Sequence, residues 1–206
     1  MKTQTKWAPY LLLIPFLTGI ILAINDITTN FDTQVFHFLR GNLAPALDLP
    51  LKILTTLGNP KSVVVIILAL LVIPKINKKV GLPTALITLI SWVLNELVKF
   101  IVSRPRPDFM LFEETSYSFP SGHAMNNTAL YLSILFSLLL LLKNKKAKAV
   151  LWVVFTVLPF LIGASRVYFG VHYLTDVISG WSLGAFVAII GFRCFRRLFK
   201  NECHSV

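Results

Sequence analysis

The chain has 206 residues, 55% of them hydrophobic and 14% charged, with a formal net charge of +11. A mean hydropathy of +0.72 excludes an ordinary soluble domain. Two cysteines, both near the C-terminus (Cys194 and Cys203), exclude a disulfide framework or a cysteine-based zinc site. The expectation is one all-α, polytopic membrane domain over residues 1–206.

Taken in chain order, residues 7–24 follow Lys2 and Lys6 and form the first apolar run. The run is long for a signal peptide, and "ILAINDITTN" offers no small-x-small cleavage site, so it reads as a retained span. Residues 25–59 are different. "FDTQVFHFLRG" sets Phe31, Val35, Phe38 and Leu39 on one helical face, and "ALDLPLKILTTLG" is also amphipathic. Both predict short helices in the membrane interface.

Five more apolar runs follow at 60–76, 82–102, 121–142, 147–163 and 173–192, giving six expected transmembrane helices. The second span is the shortest and is expected to rely on Lys61 and Lys75 snorkelling toward the two interfaces. Pro159 predicts a kink or a loosened end in the fifth.

The basic residues then set a topology. Lys2 and Lys6, then Lys75, Lys78 and Lys79, then Lys143, Lys145, Lys146 and Lys148, then Arg193, Arg196, Arg197 and Lys200 fall on one side of six crossings, where Glu202 is the one carboxylate. The positive-inside rule assigns that side and both termini to the cytoplasm. These lysines and arginines read as anchors for anionic membrane lipids rather than a nucleic-acid surface.

The opposite side is chemically mixed. Arg104, Arg106, Asp108, Glu113, Glu114, His123, Arg166, His172 and Asp176 fall at the outer ends of spans three to six, with Lys99 about one turn inside. In "SRVYFGVHYLTD" a helix starting near His172 stacks that residue on Asp176. The carboxylate would then fix the imidazole tautomer and free the other nitrogen as a nucleophile. "PSGH" opens the fourth span. Pro120 suits a helix start, Ser121 adds a hydroxyl donor, and Gly122 allows an oxyanion to approach the exposed backbone N–H groups. His123 is placed as a proton donor to a leaving oxygen. Lys99, Arg106 and Arg166 supply cations that match phosphate oxygens.

These stretches resemble the signature of the type 2 phosphatidic acid phosphatase (PAP2) superfamily: K-x6-RP, PSGH and SR-x5-H-x3-D. The match falls on Lys99, Arg106, Pro107, Pro120, Ser121, Gly122, His123, Ser165, Arg166, His172 and Asp176. The resemblance implies a lipid phosphatase that works without metal or cofactor. It implies His172 as the nucleophile forming a phosphohistidine, His123 as the acid and Asp176 as the orienter of His172. Lys99, Arg106, Ser121, Gly122 and Arg166 would bind phosphate. It implies a lipid phosphate substrate, phosphatidylglycerol phosphate first, then undecaprenyl pyrophosphate, phosphatidic acid and its lyso form. The active site would face outward from the cytoplasmic membrane. The rival class is a non-enzymatic lipid-phosphate binder or transporter, which a degenerate motif would favour. Glu114 is a candidate headgroup contact, and Glu96 is expected to pair with Lys99 inside the bundle.

Overall fold

The computed structural model describes residues 4–198, so the expectations for Lys2, Lys200, Glu202 and Cys203 lie outside the described residues. Helices make up the regular structure. They are α1 (Gln4–Trp7), a 3-10 segment (Ala8–Leu12), α2 (Leu13–Ile24), α3 (Thr29–Leu43), α4 (Asp48–Leu57) and α5 (Pro60–Val72), then a π turn (Asn77–Gly81), α6 (Leu82–Val102), α7 (Gly122–Leu141), α8 (Lys145–Tyr168) and α9 (Leu174–Leu198). Among the described residues, four helical stretches are long and apolar enough to cross a membrane on their own, and the count reaches 6 when two bent pairs are each taken as one span.

The bent pairs lie in the first half and modify the expected spans. The stretch Ala8–Ile24 turns through 104° into α3, and α4 meets α5 at 51°. The second span was expected to reach residue 76, but α5 stops at Val72. Its 13 residues reach only about 20 Å, short of a hydrocarbon core of about 30 Å. The fifth span is longer than expected. Helix α8 runs unbroken from Lys145 through Pro159 to Tyr168, and the Trp181 indole N–H donates to the Pro159 carbonyl at 3.2 Å. Asn144 starts this helix, its side-chain oxygen accepting the backbone N–H groups of Lys146 and Ala147.

Helix α7 is the central element, with 61% of its apolar window buried, against 39% for α9 and 17% for α8. Helix α9 reaches it through small residues. A methyl group at Gly180 would stand 2.8 Å from the Ser121 carbonyl oxygen, and Gly184 faces the Met125 carbonyl one turn on. This four-residue spacing of glycines is how membrane helices bring their backbones together without a solvent-driven hydrophobic effect. Ile87, Phe119, Met125, Leu183 and Val187 fill the space around that contact.

Helix α3 is present as expected. Asp32 and Phe36 are buried, and Val35 and Leu39 pack against Ala124, Val167 and Val177, whereas Phe31 and Phe38 are exposed. Phe36 stacks on Phe109 at 4.4 Å, and Asp32 pairs with Arg104. These contacts dock the helix on the bundle and leave part of its apolar face open.

Candidate active site

The ends of α6, α7, α8 and α9 that meet on one side of the bundle carry the motif residues, and the turns rich in lysine lie at the other. At that second end Arg193 donates to the Lys6 carbonyl. Loop 103–121 runs from α6 to α7 across the site and is held by its hydrogen bonds. Ser103 leaves α6 in a left-handed conformation, φ 49°. The Ser118 N–H then donates to the Arg104 carbonyl at 2.9 Å.

His172 sits in the turn between α8 and α9. Gly170 makes that turn with φ 65°, and a methyl group there would lie 2.8 Å from Phe36 and 3.0 Å from Phe109. Glycine is the residue for such a site. The imidazole is buried, with 3% of the residue exposed. Arg106 Nη1 approaches its Nε2 at 3.3 Å. A guanidinium can only donate, so Nε2 carries the lone pair and Nδ1 carries the proton. Nδ1 lies 3.3 Å from the Ser118 hydroxyl, and that hydroxyl donates to Asp176 Oδ2 at 2.5 Å.

This corrects the direct His–Asp hydrogen bond read from spacing. Helix α9 begins at Leu174, two residues after His172, so the pair is not stacked on a helical turn. Nδ1 and Oδ2 stand 3.6 Å apart with Ser118 between them. Asp176 also accepts the Tyr173 backbone N–H at 3.0 Å, which satisfies a donor at the start of α9.

Burial, ahead of the positive charges of Arg106, Arg166 and Lys99, holds the His172 imidazole well below its ordinary pKa of 6.5. The ring is therefore neutral at physiological pH, the form a nucleophile needs.

The three expected phosphate ligands gather beside Nε2. Lys99 Nζ donates to the Ser116 hydroxyl at 2.9 Å. Arg106 donates to the same hydroxyl at 3.0 Å and to the Val171 carbonyl at 2.7 Å. Arg166 donates to Thr55 Oγ1 at 2.8 Å and forms a close ion pair with Glu114. Glu114 also reaches Arg106 at 3.8 Å. It therefore lies across two guanidinium groups, inside the cluster. Glu96 is on the exposed face of α6. Lys99 turns inward to Ser116, and the expected Glu96–Lys99 ion pair does not form.

His123 opens α7 and is partly exposed. It stands within electrostatic reach of Arg166, His172, Lys99 and Arg106, so both imidazoles face one cluster. Its ring packs on the α4–α5 bend, where a methyl group at Gly58 would lie 3.1 Å from His123 Cδ2. Ser121 is the N-cap of α7; its side chain accepts the Ala124 N–H, and its own N–H donates to the Asp176 carbonyl at 3.1 Å. The Ser121 backbone N–H is therefore taken, while its hydroxyl proton stays free to donate. The open side of Gly122 faces Asn95 Oδ1 at 3.1 Å, so its missing side chain makes room for α6. Ser165 bonds within α8, to the Ile162 carbonyl at 2.6 Å.

Five contributors were not singled out from the sequence. Ser116 and Ser118 lie in the loop. Arg104 donates to Asp176 Oδ1 at 2.6 Å. Asp32 and Thr55 arrive from α3 and α4. Two basic residues flanking a proline in "SRPRP" were a signal that Arg104 has a partner of its own. No comparable pattern marks the serines.

A family model described as the PAP2 superfamily matches residues 80–200. Phosphatidylglycerophosphatase B of Bacillus subtilis (strain 168) is 45% identical over 94 residues, covering 45% of this chain and 46% of that protein, so the match spans less than half of that relative. Undecaprenyl-diphosphatase of Sulfolobus acidocaldarius is 28% identical over 197 residues, 92% of this chain and 91% of that protein. The crystal structure of a transmembrane PAP2 type phosphatidylglycerolphosphate phosphatase from Bacillus subtilis superposes with a TM-score of 0.78 at 29% identity, covering 95% of this chain and 97% of that one.

Proposed function

Because the chain belongs to the PAP2 superfamily, we propose that it is an integral-membrane phosphatase that removes phosphate from a lipid through a phosphohistidine on His172. The observation that supports this best is the acceptor nitrogen of His172, aimed into the cluster of Arg106, Arg166 and Lys99. The phosphate would take the place of the Glu114 carboxylate against the arginines. Nε2 forms a bond to phosphorus as the bond to the alcohol oxygen breaks. His123 gives its proton to that oxygen. Nδ1–H, through Ser118, spreads the developing positive charge toward Asp176. Water then attacks phosphorus and gives its proton to His123 as the Nε2–phosphorus bond breaks, which returns the lone pair to His172 and releases inorganic phosphate. The three cations stabilise the equatorial oxygens in both steps, so no metal is required.

Phosphatidylglycerol phosphate is the first substrate in this reading, in keeping with the names of the two Bacillus relatives. Undecaprenyl diphosphate is the second, favoured by the nearly full-length match to a protein of that name. By the positive-inside rule, the basic ends of the helices favour cytoplasmic termini and a site on the outer side of the cytoplasmic membrane.

The test is phosphate release from phosphatidylglycerol phosphate, undecaprenyl diphosphate, phosphatidic acid and lysophosphatidic acid in detergent, with EDTA present. Wild type is expected to turn over at least one of them, and His172→Ala to lose at least ~10³-fold. Unchanged turnover in His172→Ala overturns the mechanism, and metal-rescued loss in EDTA overturns the metal-free chemistry.

A further inference from the structure

The motifs account for Asp176 but not for a second buried carboxylate behind it. Asp32, from α3, has a fully buried side chain. Its Oδ2 accepts the hydroxyls of Thr28 at 3.0 Å and Thr175 at 2.8 Å. Its Oδ1 accepts the Thr175 backbone N–H at 3.3 Å, in the first turn of α9. Asp32 thus caps, from another helix, the α9 end that Asp176 caps from within.

Arg104 joins the two acids. Nη1 donates to Asp176 at 2.6 Å and to Thr175 Oγ1 at 2.8 Å. Nη2 reaches Asp32 at 3.5 Å and Thr29 Oγ1 at 3.3 Å. The guanidinium lies over the Tyr173 ring at 3.9 Å. One buried cation therefore serves two buried carboxylates, and with both ionised the group would carry a net negative charge. Such a charge is costly to bury, and the positive end of α9 offsets part of it.

We propose that Asp32 is a positioning residue for the reaction: by sharing Arg104 it keeps Asp176 from being fully neutralised, so that the carboxylate can stabilise the cation that forms on His172. With Asp32 alone, Arg104 would need no contact with the site. With Asp176 alone, the guanidinium would cancel the charge that the phosphorylated imidazole needs. The shared arrangement leaves one negative charge in reserve, two hydrogen bonds away from the nucleophile, and links it to the docking of α3. This inference rests on His172 being the nucleophile. Asp32 does not touch the phosphate, so its effect belongs to the chemical step and not to binding.

The experiment compares Asp32→Asn, Asp32→Glu and wild type, using dioctanoyl phosphatidic acid or whichever panel lipid wild type hydrolyses, and inhibition by inorganic phosphate. Asp32→Asn keeps the shape and removes the charge. The expected result is kcat lower by about tenfold, with KM and the phosphate inhibition constant within about twofold, and recovery of at least about threefold in Asp32→Glu. A kcat within about twofold of wild type in Asp32→Asn overturns the proposal. So does a parallel loss of phosphate inhibition, which marks a merely structural role, or a glutamate variant no better than the amide. Should Asp32→Asn not survive purification, Thr175→Val carries the test, because it removes the bridging hydroxyl and leaves both charges. A kcat about threefold lower at unchanged KM supports the proposal, and wild-type kcat overturns it. A wild type inactive on every lipid defeats the function it rests on, whereas an active wild type with an indifferent Asp32→Asn defeats this inference alone.

Discussion

The two halves of the chain contribute to the site in unlike ways. From Lys99 onward the residues that face the cation cluster sit on or beside four long helices, at spacings that the helix ends impose. Residues 29–72 hold no motif and form short helices with bends of 104° and 51° beside them. Yet that half supplies Asp32 to Arg104, Thr55 to Arg166 and Gly58 beneath His123. The motif half supplies the cation cluster and the two imidazoles, and the other half fixes how they are aimed. Reactive chemistry is recognisable by residue type, whereas aiming depends on docking.

Three substitutions sharpen or break that division. The largest effect is expected at Arg106, which belongs to the motif half. Arg106→Gln should lower kcat/KM by about 10². It should also move the acid limb of the kcat/KM profile. The neutral form of His172 is the competent one, and it is lost as pH falls through its depressed pKa, so the wild-type limb lies below 6.5. Removing a neighbouring cation shifts the limb up toward 6.5. A pH series with both proteins measures this, and an unmoved limb would detach Arg106 from His172.

Next is Ser118→Ala, also in the motif half but outside its signature. It cuts the link from Nδ1 to Asp176 and is expected to lower kcat by about tenfold with KM unchanged. Wild-type kcat would mean that imidazole and carboxylate communicate across 3.6 Å without the hydroxyl.

The smallest effect is expected at Gly58. Gly58→Ala puts a methyl group 2.4 Å from Ile162 Cγ2 and 3.1 Å from His123 Cδ2 and Asn127 Nδ2, and crowding of this kind displaces side chains rather than unfolding a helix. A fall in kcat of about threefold, with phosphate inhibition retained, would tie the bend between α4 and α5 to the proton donor. No change would leave the first half without a hold on His123.

The same division explains what could be read in advance. The all-helical architecture, four of the spans and the gathering of Lys99, Arg106, His123, Arg166, His172 and Asp176 at one end were legible, because apolar length and helix ends determine them. Ser118 was not. It reaches Asp176 through a loop whose path depends on its own hydrogen bonds, and nothing local in "SYSFPSGH" marks one serine over another. The docking of α3 was not legible for a related reason. Apolar spacing marked a helix with one apolar face, but the ion pair of Asp32 and the stacking of Phe36 that hold it to the bundle depend on residues far away in the chain. At Gly122 the sequence did not show that Asn95 of the neighbouring helix lies where a side chain would stand. The glycines of α9 carried a four-residue rhythm visible in the sequence, at 180 and 184, that signals close helix contact.

On the proposed function, Glu114 has a consequence for turnover. Its carboxylate already rests against Arg166 and Arg106, so an arriving phosphate trades one ion pair for another instead of filling an empty cage. Only the difference between the two pairings is gained on arrival. The same exchange run backward helps to expel the inorganic product, because the glutamate is waiting to reclaim the arginines. A cluster of three cations can thus grip a phosphoryl group in passage without becoming a trap for what it has just cut free.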